Sequence, residues 1–281
     1  MIKTVLEDRR TLTVAALALG LILTAGVVPA LVDARPAREI PAPSVEADLS
    51  GPHADGWSEV PAADVPMSAA ASGLPGADSA SVGTVDVQAA RSDEQLHIRL
   101  QWHDADPSRA TDGPRAFADG AAVQLPVDTS AQPAIAMGSA SNLVNVWYWR
   151  ADQGNEELLA GGPGSTTVMS DSAVSTTASH DDDTWTVVYS RALSAGGANR
   201  TVVTGDRDLD VAFAVWNGSE MERSGHKAAS QWYYFPLGPE ESGAPFQTVL
   251  WTVAGVAAVV VVLVTIQGVR RTRGGAGGEE S

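Results

Sequence analysis

Residues 96–102 read LHIRLQW, in which apolar and polar side chains alternate with a period of two. Successive side chains of a β-strand point to opposite faces of the sheet, so this stretch predicts a strand with one apolar and one polar face. The polar face begins with His97, which is expected at the surface. Residues 184–189, TWTVVY, have the β-branched and aromatic composition that strands favour.

Further short segments of this kind follow one another, separated by Gly, Pro, Asp and Ser, and no long amphipathic helix interrupts them. Roughly eight to ten strands with turn signals between them predict an antiparallel β-sandwich and an all-β fold. Residues 181–183, Asp-Asp-Asp, are expected to form a solvated hairpin turn, because they lack the alternating ligands of a calcium loop. The predicted strands are 82–91, 95–102, 121–125, 142–150, 174–178, 184–191, 210–216 and 231–237.

The composition is strongly acidic. The 281 residues include 34 acidic and 18 basic side chains, a formal net charge of -16, and no cysteine. The chain therefore has no disulfides and no thiolate metal site, and its charge disfavours nucleic-acid binding. The only lysines are Lys3 and Lys227. Acidic residues in excess and scarce lysine indicate adaptation to high salt; an ordinary acidic secreted protein is the alternative.

Two uncharged apolar runs set the predicted topology, since a helix needs about 20 such residues to cross a bilayer. Arginines and a lysine flank both runs on their outer sides, which predicts two cytoplasmic termini and an extracytoplasmic domain at the cell membrane. The first run is either a retained anchor or a cleaved signal segment. The predicted segments are a cytoplasmic N-terminus (1–10), a transmembrane helix or signal (11–32), a Pro/Ala-rich acidic linker (33–54), the β-sandwich domain (55–242), a transmembrane helix (243–269) and a cytoplasmic tail (270–281).

Catalytic motifs are missing from the sequence. None of the five histidines forms a His-Glu-x-x-His pair, and no Gly-x-Ser-x-Gly elbow occurs. His103 lies beside Asp104 and Asp106, but a surface position is the simpler interpretation. The chain is therefore not expected to be an enzyme by itself.

Met137 is the first candidate ligand. It precedes Gly138 in a loop that leads into an aromatic strand, residues 142–150. Its thioether could coordinate a metal while the glycine lets a flat ligand approach. A methionine that fills a gap in the core is the alternative.

Lys227 is the second candidate. It is the only lysine between the two apolar runs, and it lies just before the aromatic segment 231–234. Arginine stays protonated and cannot donate a lone pair, whereas a desolvated lysine can. A surface lysine without function is the alternative.

The order of these segments resembles the haem-binding domain of the ethylbenzene dehydrogenase gamma-subunit family, which includes the related subunits of dimethyl sulfide dehydrogenases, selenate reductases and chlorate reductases. This resemblance implies a β-sandwich related to carbohydrate-binding modules. The matching stretches are 55–57, 96–104, 117–126, Met137 with Gly138, 145–149 and 227–234.

The resemblance further implies a b-type haem held between the sulfur of Met137 and the amine of Lys227. The neighbouring His226 remains an alternative to Lys227, because imidazole is a commoner haem ligand. Aromatic residues of two strands are candidates to contact the face of the haem. The alternative is that these residues pack in the hydrophobic core of the domain. The further residues that the resemblance brings to the haem are Gly138, with Trp147 and Trp149, or with Trp232 and Tyr234.

By this resemblance the chain is an electron-transfer subunit. Its implied partners are the iron–sulfur and molybdopterin subunits of a nitrate or dimethyl sulfoxide reductase type enzyme, with a quinone-side or cytochrome redox partner. The alternative is a cell-surface β-sandwich that binds carbohydrate or another ligand without a cofactor.

Overall fold

The computed structural model divides the chain into two compact units, Met1–Ala37 with Glu240–Ser281, and Arg38–Pro239. The predicted segments 11–32 and 243–269 lie outside the described residues, apart from Gly255. Within the described part of the chain, no helix is both long and apolar enough to cross a bilayer. The described residues are 38–70, 77–92, 94–109, 112–205, 207–238 and Gly255.

Two antiparallel sheets form the second unit, which confirms the predicted all-β fold. A five-stranded sheet has the order β1-β3-β4-β10-β9, and an eight-stranded sheet has the order β2-β12-β11-β5-β6-β7-β8 with β13 also paired to β11. A short 3-10 helix, Asp55–Glu59, precedes them. The strands are β1 (Ala63–Pro66), β2 (Ser68–Ala69), β3 (Thr84–Arg91), β4 (Gln95–His103), β5 (Gly120–Pro126), β6 (Val144–Arg150), β7 (Gly154–Ala160), β8 (Thr166–Val168), β9 (Val174–Asp181), β10 (Thr184–Ala192), β11 (Leu209–Trp216), β12 (Ala228–Ala229) and β13 (Tyr233–Phe235).

The main hydrophobic core fills the space between the two sheets. Its centre is a tryptophan cluster in which the ring of Trp185 lies 6.3 Å from that of Trp102 and 4.9 Å from that of Trp149. Both sheets therefore contribute alternate residues of their strands to one interior, as packed sheets do.

Residues 38–54 pack against the domain, and the prediction of a linker over 33–54 is wrong for this part. Ile40 is fully buried, and Val45 and Leu49 join Trp57 on the outer face of the five-stranded sheet. This layer also corrects the expectation for His97. That side chain is only 6% exposed, and its Nδ1 lies 2.8 Å from the Ser190 hydroxyl.

The turn at residues 181–183 is a hairpin, as predicted. β9 and β10 pair up to Asp181 opposite Thr184. The two residues between them, Asp182 and Asp183, both have positive φ, at 50° and 57°. A type I′ turn requires that backbone at both central positions, and aspartate tolerates it better than most residues.

Candidate functional site

The outer face of the eight-stranded sheet holds a second apolar cluster, separate from the interior core. Loops cover it, so strands β5, β6 and β11 are buried on both faces over much of their length. This group is called the outer-face cluster below. Its buried members are Ala122, Val144, Val146, Ala160, Ala212 and Trp232, and packed against them are Met137, Tyr148, Leu158, Ala214 and Trp216.

Small residues form the floor of this face. Ala214 of β11 lies opposite Ala122 of β5, which in turn lies opposite Tyr148 of β6. In the next pair of this face, Trp216 lies opposite Gly120. The Tyr148 and Trp216 rings meet edge to face with their centroids 5.3 Å apart. An apolar floor of alanine bounded by aromatic rings suits a flat apolar ligand.

Met137 reaches this cluster from the loop before β6. Its φ is 64°, and the φ of Gly138 is 71°. A Cβ on Gly138 would lie 2.6 Å from the Asn142 carbonyl oxygen, so only glycine fits in this tight turn. The Met137 carbonyl accepts a hydrogen bond from the Gly162 N–H at 2.9 Å, which ties the loop to the β7–β8 turn. The backbone at the methionine is therefore firmly held.

Lys227 contacts the outer-face cluster at the ring of Trp216. It directly precedes β12, and its Nζ lies 5.0 Å from the centre of the Trp216 ring. Burial lowers the pKa of its ammonium group. No carboxylate of the described residues lies within salt-bridge distance of Nζ. A half-buried lysine without an acidic partner is unusual, because an isolated buried charge is costly.

Two buried carboxylates anchor the loop that leads to Lys227. Asp119 accepts the Gly218 N–H at 2.7 Å, and Glu222 accepts the Asn217 N–H at 3.0 Å. Burial raises the pKa of the Asp119 carboxyl to about 6. These bonds fix residues 217 and 218, at the start of the loop that leads to Lys227.

The other predicted residues divide between the two faces of the sheet. Trp232 is a buried member of the outer-face cluster, and its Nε1 donates to the Pro133 carbonyl at 3.1 Å. Trp147 and Trp149 belong instead to the interior core. The Tyr234 hydroxyl donates to Glu39 at 3.0 Å. The structure thus brings Met137, Gly138 and Trp232 to the outer face and turns Trp147 and Trp149 away from it.

His226 is held apart from this arrangement. Its Nε2–H donates a hydrogen bond to the Ser79 carbonyl oxygen at 3.1 Å. That contact engages Nε2, one of the two ring nitrogens, whereas the Lys227 amine lies over the Trp216 ring. Lys227 is therefore the residue of the two that contacts Trp216 of the outer-face cluster.

The donor set fits a haem. A thioether is a soft ligand for haem iron, and a lysine amine is a nitrogen donor once it has lost its proton. The alanine floor and the aromatic rings offer the dry surroundings that a porphyrin needs. Among the described residues, no three or more histidine or acidic side chains form a group that could hold a metal ion.

Sequence reasoning missed Tyr148 and Trp216. The signal was present in the strand period, because Val144, Val146 and Tyr148 alternate with Trp147 and Trp149 along β6. Ala212 and Ala214 of β11 were a second signal, since they alternate with the bulky residues Val211, Phe213 and Val215.

Comparison with known proteins gives consistent similarities. Residues 54–169 and 163–228 match the family model described as ethylbenzene dehydrogenase. A relative from Haloferax mediterranei, assigned as a respiratory nitrate reductase heme subunit, is 52% identical over 95% of this chain and 98% of its own. The chlorate reductase subunit gamma of Ideonella dechloratans is 33% identical over 66% of this chain and 79% of its own. The dimethylsulfide dehydrogenase subunit gamma of Rhodovulum sulfidophilum is 34% identical over 57% and 62%, respectively.

The chain also aligns with solved structures of carbohydrate-binding modules. A family 9 carbohydrate-binding module from Caldicellulosiruptor kristjanssonii, in complex with cellotriose, aligns with a TM-score of 0.40 at 14% identity. The alignment covers 73% of this chain and 86% of that module.

Proposed function

Because the chain belongs to the ethylbenzene dehydrogenase family, we propose that it binds a b-type haem between Met137 and Lys227 and exchanges electrons with a molybdenum oxidoreductase. It is an electron-transfer subunit of an oxidoreductase complex and not the catalytic subunit. The observation that supports the haem site is that the thioether of Met137 packs against the outer-face cluster, while the amine of Lys227, which has no acidic partner among the described residues, contacts Trp216 of the same cluster.

Each ligand has a distinct part. A bound haem supplies the one-electron couple between ferric and ferrous iron. Met137 would supply a soft sulfur ligand, and thioether ligation favours ferrous iron and raises the potential. Lys227 would supply an amine nitrogen, and burial lowers the pKa of its ammonium group. A haem held by two such side chains would transfer electrons and would not bind a substrate.

The surroundings keep water from the site. Ala122 and Ala212 are each 3% exposed and Trp232 is 7% exposed. Tyr148 is buried enough that desolvation raises the pKa of its phenol to about 12, so it remains neutral. Apolar and neutral surroundings would limit the rearrangement of water and protein dipoles that accompanies a change in the charge of the haem iron.

The absorption spectrum of the purified full-length chain tests this proposal. We expect a Soret band and, after reduction, sharp α and β bands of low-spin haem. Acidified organic solvent should extract the haem, because the chain has no cysteine to bind it covalently. A folded protein that stays colourless after haem is added would contradict the proposal and would favour a cofactor-free ligand-binding module.

We further propose that the β-sandwich domain is extracytoplasmic and anchored in the cell membrane. The uncharged runs 11–32 and 243–269, with positive charges on their outer sides, support this arrangement. The partners would then be the iron–sulfur and molybdopterin subunits on the same side of the membrane, with a quinone-side or cytochrome partner.

Thiol labelling tests the location, since the natural chain contains no cysteine. Thr167 is exposed on β8, and a Thr167→Cys variant should react with a membrane-impermeant maleimide in intact cells. A Ser281→Cys variant, in the predicted cytoplasmic tail, is the matched control and should react only after the cells are opened. Labelling of Thr167→Cys only after opening would place the domain inside.

A further inference from the structure

One backbone carbonyl joins Lys227 to Trp216. The Ser224 carbonyl accepts a hydrogen bond from the Trp216 Nε1–H at 3.1 Å and a longer one from Lys227 Nζ at 3.4 Å. Nζ also lies 5.0 Å from the centre of the Trp216 ring, within the range of a cation–π contact. The indole therefore contacts the lysine both directly and through a shared acceptor.

Trp216 is itself held rigidly. It ends β11 opposite Gly120 of β5, and its ring meets the Tyr148 ring edge to face at 5.3 Å. Ser224 has a φ of 52°, in the left-handed region, so its backbone is committed to one conformation. The Trp216 ring and the Ser224 carbonyl therefore restrict the positions that the flexible Lys227 side chain can take.

We propose that Trp216 is the positioning residue that presents the Lys227 amine to the outer-face cluster. This inference rests on the proposed haem function and adds to it a residue that acts through the lysine. A lysine side chain loses rotamer freedom when it is fixed, so a preset orientation strengthens its bond to a ligand.

An aromatic ring suits this task better than a carboxylate. The attraction of a ring for an ammonium group is modest, whereas a buried ion pair is far harder to separate. Among the described residues no acidic group pairs with Nζ. Trp216 can therefore orient the Lys227 amine without an ion pair that would have to be broken before the amine binds a ligand.

A double-mutant cycle on the full chain tests the inference. The haem dissociation constant and the low-spin fraction are measured for the wild type, Trp216→Leu, Trp216→Phe, Lys227→Ala and Lys227→Ala with Trp216→Leu. We expect Trp216→Leu to weaken haem binding about tenfold in the presence of Lys227 but less than about threefold in its absence. Trp216→Phe keeps the ring and should cost about twofold.

Trp57→Phe is the matched control. Its indole N–H also donates to a loop carbonyl, that of Gly51 at 2.9 Å, and its ring also lies under a cation, Arg99 at 5.1 Å. It belongs to the outer layer of the other sheet, so haem affinity should stay within about twofold of the wild type.

The outcomes separate the two proposals. Equal effects of Trp216→Leu in both backgrounds, or no effect in either, would overturn the positioning role and leave Lys227 as a ligand. A normal low-spin spectrum in Lys227→Ala would instead overturn the ligand assignment of the proposed function.

Discussion

Replacement of Met137 by leucine will convert the haem from a six-coordinate low-spin to a five-coordinate high-spin form. Leucine keeps the apolar volume that packs against the outer-face cluster but removes the sulfur lone pair. Loss of one bond to iron should weaken haem binding on the order of 100-fold, equivalent to ~3 kcal/mol. The midpoint potential of the remaining haem should fall, because thioether ligation raises it. Absorption and electron paramagnetic resonance spectra, with a potentiometric titration, measure these changes.

Met169→Leu is the control for this variant. Met169 follows β8, where its N–H donates to the Glu157 carbonyl, and it is not a member of the outer-face cluster. Its replacement makes the same chemical change and should leave the spectrum and the potential unaltered. Unchanged low-spin spectra in Met137→Leu would refute the methionine ligand.

Replacement of Gly218 by alanine will strongly destabilise the domain. A Cβ at this position would lie 1.8 Å from the Phe117 carbonyl oxygen and 2.6 Å from its carbonyl carbon. Because both atoms belong to the backbone, the loop must move, which would strain the hydrogen bond from the Gly218 N–H to the buried Asp119. We expect a loss of about 3 kcal/mol or more and a fall in Tm of roughly 6–12 °C.

The same variant should also weaken haem binding, because the displaced loop leads to Lys227. Gly83→Ala provides the comparison, since a Cβ there meets nothing within 4 Å and its φ is ordinary. Calorimetry should find it within about 0.5 kcal/mol of the wild type. A Tm of Gly218→Ala within about 2 °C of the wild type would show that the close approach is relieved without cost.

The β-sandwich was predictable because its long strands have strong periodicity. β4 and β10 alternate clearly or are dense in β-branched residues, and both were predicted close to their observed bounds. β2 and β12 have only two residues each, which is too short for an alternation of apolar and polar residues to be recognised. β7 was not predicted, because its first residues include Asn155, Glu156 and Glu157, which are polar. In the structure Glu157 is buried and forms an ion pair with Arg200 at 3.1 Å.

The candidate site was predictable in part. The pairing of Met137 with Gly138 and the isolation of Lys227 were visible in the sequence. The face of each aromatic residue was not assigned, because β6 is buried on both sides and has no polar face to mark the exterior. The layer of residues 38–54 was missed for a related reason. Its prolines and acidic residues resemble a linker, while the contacts that bury Ile40 and Leu49 depend on distant strands.

The separation of the two apolar clusters has a consequence for biogenesis. The interior between the sheets is closed by its own side chains, and Met137, Trp232 and Trp216 all belong to the separate outer-face cluster. The domain should therefore fold without a bound haem. It should exist as a structured, empty acceptor that matures in a later, reversible loading step, so that assembly with partner subunits can be regulated by cofactor supply.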